Sequence, residues 1–221
     1  MIRTVLFDLD GTLVDTWDLY VESYLRTLEP HCGRRLMLSE LIALRPTSEL
    51  RFFDRALPGH DPAELCAQFL DHYRLLHATH FGGLYPGVAE MLEQLRARGF
   101  RLGLVTGKGR AAWEVTASHV KLGDFAVIVT DEQVKAPKPD PEGLITALDR
   151  LGARAEEVTY VGDSRVDAEA AQRARIRFAA ALWPKSSAEL SAFRAQIRTF
   201  GVWTELPSPE ALLAALQQNS L

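Results

Sequence analysis

The sequence predicts a doubly wound, parallel α/β fold with a helical insertion, and three observations carry this. A short apolar run, Thr4 to Phe7, leads straight into Asp8-Leu9-Asp10-Gly11. From residue 82 onward, short apolar runs alternate with helical patterns. Between them, residues 16–81 carry helical periodicity alone. We therefore expect a core domain of residues 1–15 and 82–221, and a helical cap domain of residues 16–81.

Thr4 to Phe7 reads as a buried strand of a parallel sheet. Asp8 falls at its end, and Asp10 falls where the chain turns away. Open α/β sheets bind ligands at that carboxyl edge, so both carboxylates can face one crevice. Two carboxylates that close repel each other unless a cation or a shared proton lies between them. Oxygen-only ligands favour a hard ion, and Mg2+ is the first candidate. A plain strand-end turn, with Gly11 supplying a positive φ, is the alternative for this fragment alone.

In the insertion, Trp17, Tyr20, Tyr24 and Leu28 recur at helical spacing, with Pro30 expected to end the run. His31 to Thr47 reads as broken chain, and Ser48 as the N-cap of a helix through Leu57. Asp61-Pro62-Ala63-Glu64 is a strong helix start, and Leu65, Phe69, Tyr73 and Leu76 line one face of the helix it opens.

The alternating region begins with a helix opened by Pro86-Gly87 and closed by Gly99. Leu102 to Thr106 is a strand, Ala111 to Val120 a helix, and Phe125 to Thr130 a strand. Asp140-Pro141-Glu142 caps a helix that ends at Gly152. Val158 to Gly162 is a strand, Ala168 to Arg175 a helix, and Phe178 to Leu182 a strand. A polar helix, Ser187 to Ile197, a short apolar piece, Phe200 to Trp203, and a last helix capped by Ser208-Pro209-Glu210 complete the chain.

Composition excludes several classes. Hydrophobic residues make up 47% and charged residues 24%, an ordinary globular balance. A net charge of -4 gives no reason to expect nucleic acid or a membrane surface as partner. No apolar run approaches the ~20 residues of a membrane span. Cys32 and Cys66 lack metal-ligand spacing and read as reduced thiols of a cytoplasmic protein. The first strand starts almost at Met1, so no signal peptide is expected.

Three more strand ends carry chemistry. Thr106-Gly107-Lys108 offers a hydroxyl, then a glycine whose backbone can approach an anion closely. It is not a Walker loop, because Leu102 stands where the first glycine belongs and Gly109 where Ser or Thr should follow the lysine. Lys138 sits among Pro137, Pro139 and Pro141, which stiffen its support. Gly162-Asp163-Ser164-Arg165-Val166-Asp167 places one aspartate at a strand end and a second where a helix starts. Helix capping accounts for Asp167 well and for Asp163 less well.

Taken together, Asp8-x-Asp10-Gly11-Thr12, the strand-end Thr106, Lys138 in its proline-rich loop and Gly162-Asp163-x-x-x-Asp167 resemble the four motifs of the haloacid dehalogenase-like hydrolases. The helical block resembles that family's small cap, and the branch it is most similar to holds phosphoglycolate phosphatases and pyrophosphatases. The resemblance implies a Rossmann-like core and a Mg2+-dependent phosphatase acting on a small phosphorylated metabolite, a phosphoglycolate-like phosphomonoester. Asp8 would be the nucleophile and Asp10 the general acid and base. Thr106, Gly107 and Lys138 would hold the phosphoryl group. Asp8, Asp10 (through its carbonyl) and Asp163 would ligate Mg2+, with Asp167 behind them.

The pattern also departs from the family. Arg45 stands where relatives usually carry a glycine before proline, in the loop that helps choose substrate. Guanidinium suits a carboxylate or second phosphate, so Arg45 is a candidate substrate contact, against the plain reading of a surface arginine. Dehalogenation is disfavoured by Asp10, which the relatives that do it lack. Pyrophosphate hydrolysis, sugar-phosphate mutase activity and a non-catalytic binding role on the same fold are the alternatives.

Overall fold

The computed structural model describes residues 1–218 of the chain. Its elements in order are β1 (Thr4–Phe7), β2 (Val14–Asp15), α1 (Trp17–Cys32), α2 (Leu38–Ala43), α3 (Glu49–Ala56), α4 (Pro62–His80), β3 (Gly83–Leu84), α5 (Val88–Ala97), β4 (Arg101–Val105), α6 (Arg110–His119), β5 (Val127–Val129), α7 (Glu142–Leu151), β6 (Val158–Gly162), α8 (Arg165–Arg173), β7 (Arg177–Ala181), α9 (Ser187–Ile197), β8 (Val202–Leu206) and α10 (Ala211–Gln218).

Six strands form one sheet in the order β5-β4-β1-β6-β7-β8. Every pairing in it is parallel. The central strands β1 and β6 are buried along their whole length, which is why they read as unbroken apolar runs. One core cluster joins Phe7, Val161 and Leu104 to α5 and α10 on one side. A second joins Leu6, Tyr160 and Phe178 to α7, α8 and α9 on the other. The sheet is thus covered on both faces, and the predicted α/β class holds.

The helices from α1 to α4 bury a cluster of their own, centred on Tyr24, Phe52, Phe53, Phe69 and Tyr73. Phe69 and Tyr73 stack, and the other rings meet at tilted and edge-on angles, with Tyr24 and Phe52 centroids 4.5 Å apart. This block is tied to the sheet by β2 and β3, which pair antiparallel as Val14 with Leu84 and Asp15 with Gly83.

Two expectations fail here. Pro30 does not end α1, which continues to Cys32 and stops at Gly33 with φ 66°. A proline this close to a helix C-terminus removes a single backbone bond, and glycine in the left-handed region is the stronger stop. The stretch from His31 to Thr47 is not wholly irregular, because α2 lies within it. Glu40 starts α2 by accepting from the Met37 amide at 2.8 Å. Elsewhere the bounds shift by a few residues: α8 begins at Arg165, and the C-terminal apolar piece is the start of edge strand β8.

Candidate active site

Asp8, Thr106 and Asp163 each stand just beyond the end of a parallel strand, β1, β4 and β6, at one edge of the sheet. All three are buried and line a single cleft of about 1020 Å³. Gly11 makes this packing possible. Its φ is +76°, and a Cβ there would lie 2.7 Å from an Asp163 carboxylate oxygen. The turn after Asp10 thus needs glycine both for its backbone angle and for its closeness to Asp163.

Oxygens of Asp8, Asp163 and Asp167 lie within 4.8 Å of one another. Lys138 stands across two of them. Its Nζ donates to Asp8 Oδ1 at 2.8 Å, to Asp167 Oδ1 at 2.6 Å and to the Tyr160 hydroxyl at 2.9 Å. An ammonium has three protons, and all three are used. Tyr160 in turn donates to the Val105 carbonyl at 3.0 Å, so the lysine's head is braced from the sheet itself. Asp163 is held by the Thr12 hydroxyl, which donates to Oδ1 at 3.2 Å, and by Lys185, whose Nζ bonds Oδ2.

Burial raises the Asp8 pKa to about 8. Lys138 opposes the rise, while the Asp167 and Asp163 charges add to it. Burial likewise raises Asp163 to about 6, against the pull of Lys185. Burial alone would lower the Lys138 pKa, yet the Asp167 and Asp8 carboxylates drive it well above the ordinary lysine value. Three carboxylates, Asp8, Asp163 and Asp167, thus stand against two lysines, Lys138 and Lys185, and the donor set is oxygen only. These residues fit a hard divalent cation. Asp8 and Asp163 line the cleft, and Asp167 is fully buried behind them. The Asp10 carboxylate is turned elsewhere: its Oδ1 accepts from Thr16 Oγ1 at 2.5 Å and meets Lys108 Nζ at 3.0 Å.

Asp167 closes the capping box of α8 with Ser164. It is the third residue of α8, where Oδ2 accepts from the Ser164 amide at 3.1 Å and from the Ser164 hydroxyl, while Oδ1 faces Lys138. Thr106 lines the cleft, and its Oγ1 accepts from the Lys108 amide at 3.1 Å. Gly107 lines the cleft too. Arg45 is not brought there. It is exposed at a φ of 51° and absent from the cleft lining, whereas its neighbours Pro46 and Thr47 belong to it.

Sequence reasoning missed Lys108, Lys185 and Tyr160 as site residues. Lys108 follows Thr106-Gly107 directly, a signal examined only for a Walker loop. Its Nζ enters the helical block, donating to Tyr20 and Tyr73 hydroxyls at 2.9 and 2.8 Å. Tyr20 in turn donates to Glu49 Oε1 at 2.7 Å. Glu49 also accepts from the Gly109 amide at 3.0 Å, and Arg51 reaches Asp131 at 2.8 Å. Nothing in the local sequence marks Lys185, 22 positions after its partner.

Fold and site together define an enzyme of the haloacid dehalogenase-like hydrolases: the chain matches that family from residue 5 to residue 181 and belongs to it. As an enzyme it is a phosphatase. The chain is 34% identical over 197 residues to pyrophosphatase PpaX of Bacillus velezensis, covering 87% of this chain and 89% of that one. Its fold is similar to that of CbbY from Rhodobacter sphaeroides in complex with phosphate, at a TM-score of 0.83 and 24% identity over 98% of this chain and 100% of that chain. A hydrolase from Pseudomonas syringae shares the fold at a TM-score of 0.78 and 22% identity, covering 98% of each.

Proposed function

We propose that the protein hydrolyses a small phosphomonoester through an aspartyl phosphate on Asp8. The observation that carries this reading is the bridge from Lys138 to Asp8 Oδ1, with Asp8 lining a cleft large enough for a phosphorylated metabolite. Asp8 attacks phosphorus, and the P–O bond to the leaving group breaks. Lys138 offsets the charge shared by nucleophile and phosphoryl group, and Thr106 with the Gly107 backbone holds phosphoryl oxygens. Asp10 protonates the departing oxygen and then takes a proton from the water that attacks the intermediate. With Oδ1 engaged by Thr16 and Lys108, Oδ2 is the oxygen available for that transfer.

Asp8 and Asp163 would hold Mg2+, with the Asp10 carbonyl as a further ligand and Asp167 beside them. Bound there, the ion would neutralise phosphoryl oxygens and relieve the repulsion among the carboxylates. Residues 16–81 act as a cap over the cleft, hinged at the β2–β3 pair, in a reduced cytoplasmic setting. Glu49, Arg51 and the cage around Lys108 support a closed arrangement of the cap.

Pyrophosphate is the second reading, supported by the name of the PpaX relative. Rapid quench with a 32P-labelled phosphomonoester tests the proposal. A labelled protein band that is stable in acid, labile in hydroxylamine and lost in Asp8→Asn supports it. Turnover without any labelled protein opposes it.

A further inference from the structure

The cleft extends well beyond the space one phosphoryl group fills, so its outer wall meets the leaving group. Three lysines line it, and each is already committed to a carboxylate. Lys138 is on Asp8 and Asp167, Lys185 on Asp163, and Lys108 on Asp10 and two tyrosines. Lys108 is also closed off, at 2% exposure. Among the described residues, the helical block contributes no cationic side chain to the lining. Its share is Trp17, Tyr20, Val21, Leu41, Ile42 and their neighbours. The exposed charged side chains of the lining are acidic, Asp18 and Glu189.

A second anion on the substrate would therefore find no uncommitted cation in the lining, only hydroxyls such as those of Thr47 and Ser48 among apolar walls and carboxylates, and neutral donors offset the lost hydration of a full charge poorly. Lys185 is the lysine a bound cation would loosen, and its ammonium stands on Asp163, beside the carboxylates that would hold that cation rather than on the helical wall. The apolar wall is open to a ligand. Trp17, Ile42 and Val166 line the cleft and remain 57%, 49% and 38% exposed. Three large apolar side chains left in solvent around one cleft favour a ligand with an apolar surface to cover them.

We infer that the leaving group is uncharged and largely apolar, an arylalkyl or similar alcohol seated against Trp17 and Ile42, rather than a group carrying a second anion. This rests on the phosphomonoester reading above and departs from the phosphoglycolate-like substrate that the family resemblance implies. Atoms balance as in any hydrolysis: the ester P–O bond breaks, water supplies the new oxygen on phosphorus, and a proton goes to the alcohol.

The test compares kcat/KM for benzyl phosphate, methyl phosphate, 2-phosphoglycolate and pyrophosphate with Mg2+ supplied. Benzyl phosphate and 2-phosphoglycolate both release alkoxide-type oxygens, so their comparison reads recognition more than intrinsic reactivity. Benzyl phosphate should exceed 2-phosphoglycolate and pyrophosphate by roughly tenfold or more, as expected for one well-buried ring against an unpaired charge. Trp17→Ala should cut kcat/KM on benzyl phosphate by about tenfold and leave methyl phosphate within about twofold. Ile42→Ser gives an independent reading if Trp17→Ala fails to fold. Preference for 2-phosphoglycolate or pyrophosphate, or equal losses on benzyl and methyl phosphate, would overturn the inference while leaving the phosphatase reading intact. Hydrolysis of pyrophosphate alone, with no ester cleaved, would overturn the phosphomonoester reading and this inference with it.

Discussion

Lys108 Nζ lies 3.0 Å from Asp10 Oδ1, and the same ammonium is caged by the Tyr20 and Tyr73 hydroxyls and lies 4.1 Å from the centroid of the Tyr20 ring. A lysine of the sheet edge thus joins the proposed acid–base residue to two helices of the insertion. Burial opposes its charge, yet Asp10, Tyr73 and Glu49 raise its pKa, so it stays protonated at neutral pH. Lys108→Met should lower kcat by ~10- to 100-fold, because it frees Asp10 and leaves Glu49 as a buried, uncompensated carboxylate. Steady-state kinetics alongside a thermal melt check this. Lys108→Arg should recover little, since a planar fork cannot fill a three-cornered cage.

Asp10→Asn should spare formation of the intermediate more than its hydrolysis when the leaving group is good. A good leaving group needs little acid, whereas water still needs a base. Burst kinetics with p-nitrophenyl phosphate separate the two steps. A burst of p-nitrophenol followed by a slower steady rate is expected, and equal slowing of both phases would remove Asp10 from the water-activating role.

Much of this site was legible because its residues announce themselves locally. β1 and β6 are unbroken apolar runs that end in aspartates, and Asp61 caps α4 as its sequence indicates, accepting from the Ala63 amide at 2.9 Å. What stayed hidden is tertiary. Lys108 and Lys185 matter through partners 98 and 22 positions away, a distance no local pattern spans. Pro30 misled because a proline's effect depends on how many turns follow it.

Arg45 shows how a sequence departure acquires a physical meaning. Its φ of 51° lies where glycine is at ease and a residue with a Cβ is strained. Arg45→Gly should raise stability by ~0.5–1 kcal/mol, the relief of a left-handed residue less the added freedom of an unfolded glycine. Arg55 would still bond the residue 45 carbonyl, now at 2.5 Å, because that contact is to backbone. Urea midpoints measure the gain. Because Arg45 lies outside the cleft lining, turnover should stay within about twofold, the range of a surface change.

His77 is buried, stacks on His119 at 3.7 Å, and has no hydrogen-bond partner at Nε2. Burial, then His119 and Lys108, lower its pKa to about 4. The folded protein therefore favours the neutral ring. Its contribution is full above the unfolded value near 6.5 and is lost as pH falls toward 4. Between pH 7 and pH 5 this should remove about 1–2 kcal/mol. His77→Gln should flatten that part of the pH–stability curve, read from urea unfolding at the two pH values. An unchanged slope would place the acid sensitivity in the carboxylates.

Divalent metal should be required for turnover, with activity lost in EDTA and restored by Mg2+. Ca2+ should restore far less, because it accepts more oxygens at longer distances and would engage both oxygens of Asp8, leaving none to attack. Full activity in Ca2+ would contradict the arrangement of Asp8 and Asp163 around a small octahedral ion.

The central claim is that Asp8 carries the phosphoryl group, and peptide mass spectrometry of enzyme quenched in acid during turnover tests it most directly. The account predicts that the peptide containing Asp8 gains the mass of one phosphoryl group, and that Asp8→Asn loses both this adduct and activity by a thousandfold or more. A phosphorylated peptide elsewhere in the chain, or turnover in Asp8→Asn within about tenfold of the parent, would contradict it.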